Sequence, residues 1–209
     1  NLRNKQYYIF NKSYTKQTYE EELKRLGFDS GSYGKIQEFK QKAKEFQTKF
    51  PVKYMHSRHS TDVTGEYIVN SKNTFHAFNV NGAEDSKFLS SIRLPKAKDS
   101  YDWTIYGGNG ELMYEILQAG GNVYNNHFGW CIWLGTRDME YGILNIDSSD
   151  CFGSIGVRKK KYCILNKQYS KEDYEKLRET IIASMNEKPY RDKRGREYRY
   201  GEFFPAELS

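Results

Sequence analysis

The chain has 209 residues, a net charge of +6, 16% aromatic residues and a mean hydropathy of −0.88. That length buries a core in one large or two small domains, and 18 Tyr with 12 Phe argue against a disordered chain, which is poor in aromatics. No apolar run approaches the roughly 20 residues of a membrane span, and Cys131, Cys151 and Cys163 are odd in number and do not form a disulfide framework, so the reading is a cytoplasmic, reducing setting away from membranes.

In chain order, the first feature is RNKQYYIFNKSYTKQTYE, residues 3–20, which returns as RKKKYCILNKQYSKEDYE, residues 158–175. Ten of the eighteen aligned positions are identical, Tyr7/Tyr162, Asn11/Asn166, Tyr14/Tyr169 and Tyr19/Tyr174 among them. In each copy a short aromatic, β-branched run predicts a strand, followed by a polar turn and a helix start. Ser170 and Asp173 fit a capping box, whereas Thr15 has Thr18 where the acid should stand. Tyr19, Leu23 and Leu26 continue the first helix, and Gly27 ends it. Tyr174, Leu177, Ile181, Ile182 and Met185 line the second.

A further helix is predicted over 33–49, with Ser32 as its cap, a stripe of Ile36, Phe39, Ala43, Phe46 and Phe50, and Pro51 as its stop. From about 64 to 169 short strand-like pieces recur, separated by polar breaks such as SKN (71–73), AEDS (83–86), AKDS (97–100), TRD (136–138) and SSD (148–150). No interval holds the helical crossover of an ordinary parallel sheet. An antiparallel meander, a barrel or a β-solenoid remain, and the short strands, similar corners and duplicated unit favour the solenoid. GELMYEILQAGG (110–121) reads equally as a short helix or another turn of strand. The expected class is therefore mainly β with flanking helices (α+β): a β-solenoid-like stack with strand–turn–helix units near both ends. Its segments are 1–63 (first unit and second helix), 64–169 (strand-rich body) and 170–209 (helix and terminal hairpin), forming one structural domain.

Long stretches carry a resemblance: GVRKKKYCILNKQYSKEDYEKL, YRYGEFFPAELS, NLRNKQYYIFNKSYTKQTYEE, TGEYIVNSKNTFHAFNV and SYDWTIYGGNGELMYE. They resemble an uncharacterised Cys-rich family of environmental bacteria whose members carry zinc ribbons outside a central region of this kind. The resemblance implies that the chain is that central repeat region within a longer polypeptide. Tyr8 and Ser154 stand where relatives often have cysteine, which sets a rung-cysteine metal or redox role in doubt.

Four constellations carry candidate chemistry. His56 and His59 form an H-x-x-H pair that Asp62 or Glu66 would have to complete, short of a structural zinc set. The cysteines sit in apolar strands, where a buried thiol is inert, and Gly107–Gly110 lacks the Lys-Ser/Thr of a phosphate loop and reads as a turn. Asp99, Asp102, Glu111 and Glu115 are close enough in sequence for a carboxylate site on the strand face, which is the hydrolase alternative. The basic and aromatic runs Arg158, Lys159, Lys160, Lys161 and Tyr190, Arg191, Lys193, Arg194, Arg196, Tyr198, Arg199 fit phosphate contact and base stacking. The expected function is a non-catalytic repeat scaffold or binding module with no cofactor within the chain. Nucleic acid is its leading partner; a carbohydrate-active hydrolase and a protein–protein module are the alternatives.

Overall fold

The computed structural model describes residues 6–27, 31–94 and 96–202. They fall into two compact units, Asn1–Tyr54 and Met55–Ser209. Arg3, Lys5 and most of the GEFFP segment lie outside the described residues.

The first unit opens with β1 (Tyr7–Ile9) and β2 (Lys12–Tyr14), an antiparallel hairpin closed by Phe10 and Asn11 at φ 47° and 59°. Two consecutive positive φ values match the right-handed twist of the flanking strands. α1 (Lys16–Leu26) follows, capped by Thr15. Thr18 replaces the acid of a capping box, yet its hydroxyl accepts the Thr15 N–H at 3.0 Å and the box closes all the same. Gly27 ends α1 in the left-handed conformation, as expected. α2 (Tyr33–Gln47) ends near the predicted point, and Phe10 packs on Phe39 and Phe46 at ring separations of 5.4 and 4.9 Å.

The second unit is a parallel β-solenoid of about eight turns among the described residues. Its strands are β3 (Ser57–Arg58), β4 (Thr61–Val69), β5 (Lys72–Asn81), β6 (Ala83–Ser90), β7 (Ala97–Lys98), β8 (Tyr101–Thr104), β9 (Gly110–Gly120), β10 (Val123–Trp133), β11 (Arg137–Glu140), β12 (Ser149–Phe152) and β13 (Lys161–Ile164). Gly110–Gly120 is a strand, which settles the helix-or-turn alternative. In register, Lys72, Glu84, Lys98, Glu111, Tyr124, Arg137, Ser149 and Lys161 stack one above another.

Each turn is built from three-residue steps. Asn73, His76 and Asn79 have φ of 46°, 53° and 55°, and Asp138, Tyr141, Leu144 and Asp147 have φ of 51°, 52°, 56° and 50°. A left-handed residue bends the chain, the next residue points inward, and the one after it faces out. One residue in three thus reaches the core, so a polar chain closes around a thin interior.

The polar breaks in the sequence are such bends. Asp85, Asp99, Asp138 and Asp150 are left-handed, and Ser86, Ser100, Met139 and Cys151 after them are buried. They lie within the turns, where Asn and Asp tolerate this conformation best.

Bending interrupts the backbone ladder, and inward polar side chains repair it. The Ser86 hydroxyl donates to the Glu84 carbonyl at 2.7 Å and accepts the Ser100 N–H, one turn on, at 3.1 Å. Ser71 does the same with Val69 and Ala83, Ser100 with Lys98 and Met113, and Ser148 with Ile146 and Lys160. Asn126 and Asn145 span larger gaps with both amide atoms. Between these ladders run apolar columns: Ile68 beneath Val80, and Leu89, Trp103 and Ile116 in succession.

After β13 the chain turns through Leu165 and Asn166 into β14 (Lys167–Gln168), antiparallel to β13. α3 (Lys171–Glu187) starts at Ser170, whose hydroxyl accepts the Asp173 N–H and donates to the Asp173 carboxylate. Tyr174, Ile181, Ile182 and Met185 join Phe128, Tyr141, Phe152 and Ile164 in a second core on the solenoid's side. Leu177, expected in that stripe, is 37% exposed; its neighbour Arg178 faces the solenoid instead and clasps Glu140 at 2.5 and 3.0 Å. A terminal hairpin, β15 (Tyr190–Arg191) and β16 (Glu197–Tyr198), precedes Tyr200, whose ring packs on Phe128 and Tyr141.

Candidate nucleic-acid interface

The structure separates the two basic runs. In the last turn Arg158, Lys159, Lys160 and Lys161 are all exposed, with Lys159 left-handed at φ 50°. The bend fans consecutive side chains outward in place of the alternation a strand would impose. Among the described residues none of the four has an ion-pair partner, although Asp147 occupies the position below Lys159. Arg137 and exposed Tyr124 extend the Lys161 column down the stack, with Ser149 between Arg137 and Lys161.

The hairpin run is spent on itself. Arg191 and Arg199 both reach Glu197, and Arg196 binds Asp192 at 2.7 Å while its guanidinium sits 5.6 Å from the Tyr198 ring. Burial alone would raise the Asp192 carboxyl, but the Arg196 N–H and guanidinium, the Arg194 N–H and the Tyr198 hydroxyl together hold it down at about 2. A carboxylate depressed in this way adds stability above its ordinary value near 3.8 and loses it only as pH falls through about 2. The amides of Arg194 and Arg196 are therefore expected to keep their hydrogen-exchange protection, relative to Asp192→Asn, down to about pH 2 to 3. Lys193 and Arg194 have no ion pair among the described residues, and Tyr190 is exposed beside Tyr198. Of the hairpin residues only these three remain available to a ligand.

The two runs also face different ways. Arg158 lies half a turn from both Phe152 and Ile164, the side on which α3 and Tyr200 pack. That other side carries a groove of about 310 Å³ bordered by Asp138, Glu140, Asp150, Glu175 and Glu179, with Arg178 in the same lining paired to Glu140. The sequence does not announce this groove, because its acids come from separate turns and from α3. Asp138 and Asp150 directly follow Arg137 and Ser149 of the Lys161 column, so acids border the basic column on the side towards α3.

The four candidate acids divide into two pairs. Lys98 contacts Asp99 at 3.5 Å, and Asp99 and Glu111 together raise the lysine's pKa, so both acids of this pair bear on one cation. It belongs to a ladder of alternating charge, Lys72, Glu84, Lys98 and Glu111, along a groove of about 800 Å³. Asp102 and Glu115 occupy equivalent bends of successive turns, since Tyr101 pairs with Tyr114 and Trp103 with Ile116. Strand spacing puts their backbones about 4.8 Å apart. Burial raises the Asp102 carboxyl, and burial followed by the nearby Glu115 carboxylate raises the Tyr114 hydroxyl.

His56 turns to Glu66 and stacks on Tyr67 at 5.2 Å. Among the described residues no group of three or more His, Cys, Asp or Glu side chains is placed to hold a metal ion. All three cysteines are buried, and burial pushes the Cys131 and Cys151 thiols up, which keeps them protonated. Gly107 and Gly110 are more than a turn: a Cβ there would lie 2.8 and 2.3 Å from the Trp103 ring, so the glycines make room for the indole. Among the described residues no helix is long and apolar enough to cross a membrane. Comparison of the chain with family models, curated proteins and solved structures finds no match.

Proposed function

We propose that the chain is a non-catalytic repeat module that binds nucleic acid through the corner Arg158–Lys161. The observation that carries this reading is the run of four exposed, consecutive cations without ion-pair partners among the described residues, whereas the arginines of the hairpin are mostly neutralised. Lysine and arginine neutralise phosphates and release counterions, and exposed Tyr124 in the same column offers a ring to an unpaired base. Four phosphate contacts give a log–log salt slope of about −3 on a single strand. Labelled single- and double-stranded DNA and RNA, titrated across a salt series, test the reading. Micromolar binding that weakens with that slope supports it. An absence of binding at low salt leaves a scaffold for a protein partner.

A second reading follows from Asp102 and Glu115: a carbohydrate-active hydrolase whose two acids lie one position beyond the stacked pair Tyr101 and Tyr114. It needs one acid protonated and one ionised at separations of about 5–10 Å, and the raised Asp102 is the candidate acid. On this reading Asp102→Asn abolishes release of reducing sugar from a polysaccharide panel while the melting temperature stays unchanged. Equal activity in the variant and the parent rules it out.

A further inference from the structure

The duplicated sequence folds into the same object twice, and among the described residues the two copies differ in their neighbours. In both, a two-residue left-handed turn closes an antiparallel hairpin: Phe10–Asn11 at φ 47° and 59°, Leu165–Asn166 at 48° and 67°. Tyr7 meets Tyr19 at 5.3 Å as Tyr162 meets Tyr174 at 5.8 Å. Lys12 lies 5.5 Å from the Tyr14 ring, and Lys167 lies 5.2 Å from the Tyr169 ring. A hydroxyl then caps the helix in each copy.

The copies differ at one edge. β13 pairs on its far side with β12, parallel, with Ser149 opposite Lys161, Cys151 opposite Cys163 and Phe152 opposite Ile164. Among the described residues β1 pairs with β2 alone. Cys163 points into the solenoid core and is 1% exposed, whereas Tyr8, which stands at its position in the first copy, is 54% exposed. An open strand edge with an aromatic ring at a core position is a surface that folded proteins normally cover.

We propose that Tyr7–Leu26 is the closing unit of another β-solenoid, and that the free edge of β1 receives a parallel turn of that solenoid, carried ahead of it on the same polypeptide as β12 is carried ahead of β13. Parallel stacking has a polarity that selects this occupant. The edge of β1 corresponding to that of β13 accepts the carboxyl-terminal end of a stack with inward side chains kept inward. In residues 55–164 that end already holds the second copy, and the amino-terminal end at β3 and β4 presents the opposite edge. A second copy of the chain therefore does not supply the partner, and a preceding stack does. Tyr8 fills the interior of the last turn there, as Trp103 fills that of an inner turn here.

The test adds turns of known structure to the whole chain. Residues 110–157 are duplicated directly ahead of Arg3, so that Val157 runs into Arg3 as it naturally runs into Arg158; a control carries the same residues in scrambled order. Nitration of Tyr8 by tetranitromethane is expected to fall about tenfold, and exchange of the Tyr7–Ile9 amides to slow about a hundredfold, relative to the control. In a second variant, residues 158–182 are replaced by residues 3–27 and compared with a polar linker of equal length. The exchanged unit is expected to preserve protection of the 149–157 amides better than the linker does. A gain over control in either variant supports the proposal. Tyr8 and its neighbouring amides unchanged in the first, together with no advantage over the linker in the second, overturn it.

Discussion

Replacing Trp103 with alanine is expected to destabilise the solenoid by about 3–5 kcal/mol, the range for truncating a large buried aromatic. At roughly 2–4 °C per kcal/mol for a unit of this size, the thermal transition falls by about 6–20 °C. The reason is local. Trp103 is fully buried, sits in the column between Leu89 and Ile116, and fills space that Gly107 and Gly110 leave for it. In a stack where each turn contacts only its neighbours, no distant element can close the hole. A double-mutant cycle isolates the contact: Gly110→Ala collides with the indole in the parent chain and costs less once Trp103 is alanine. Among the described residues the indole N–H has no hydrogen-bond partner, so Trp103→Phe, which removes that orphan donor, is expected to lose much less than Trp103→Ala. A fall below about 1 kcal/mol for the alanine variant would contradict this packing.

Replacing Asn145 with leucine is expected to cost a comparable amount by a different route. Its amide donates to the Ser154 carbonyl at 2.8 Å and its oxygen accepts the Val157 N–H at 3.0 Å, and the side chain is fully buried. Leucine keeps the volume and strands both backbone groups, each worth about 1–3 kcal/mol when buried without a partner. Urea denaturation measures the sum, about 2–6 kcal/mol. Hydrogen exchange gives the address: amides of 154–157 lose protection, while those of 61–92, several turns away, keep theirs. Uniform loss across the stack would mean that the solenoid unfolds as one block.

These two positions also show what could be read from the sequence. The polar corners AEDS (83–86), AKDS (97–100) and SSD (148–150) are visible as recurrent breaks, and their recurrence favours a solenoid over a meander. Their inner period of three is not legible in the same way. Helices and half-buried strands repeat at 3.6 and 2, and the period of three is blurred because the left-handed positions also hold Phe88, Leu112, Phe128, Tyr141 and Leu144. Only one corner keeps Asn or Asp in most turns. The inward positions mix Ser, Asn, Ala, Ile and Trp, so hydropathy alone does not mark them.

The basic site was legible in composition and illegible in pairing. RDKRGRE contains Asp192 and Glu197, and the hairpin geometry decides that these acids neutralise Arg191 and Arg196. The separation of Asp99 and Glu111 from Asp102 and Glu115 likewise follows from turn lengths of 12 to 14 residues, which the register of successive turns reveals. Arg178 takes the inward place expected of Leu177 because the side chain facing α3 is a buried glutamate, Glu140, and an arginine satisfies it where a leucine cannot.

The corner, and not the hairpin, is the proposed nucleic-acid site. The most direct measurement compares salt slopes for a labelled single strand bound to two variants of the whole chain. One carries glutamine at Arg158, Lys159, Lys160 and Lys161; the other carries glutamine at Lys193 and Arg194, the hairpin cations without an ion pair among the described residues. The account predicts that the corner variant loses most of the slope, about 0.7 per phosphate contact removed, and that the hairpin variant keeps it. A corner variant with the parent's slope, beside a hairpin variant that has lost it, would contradict the claim.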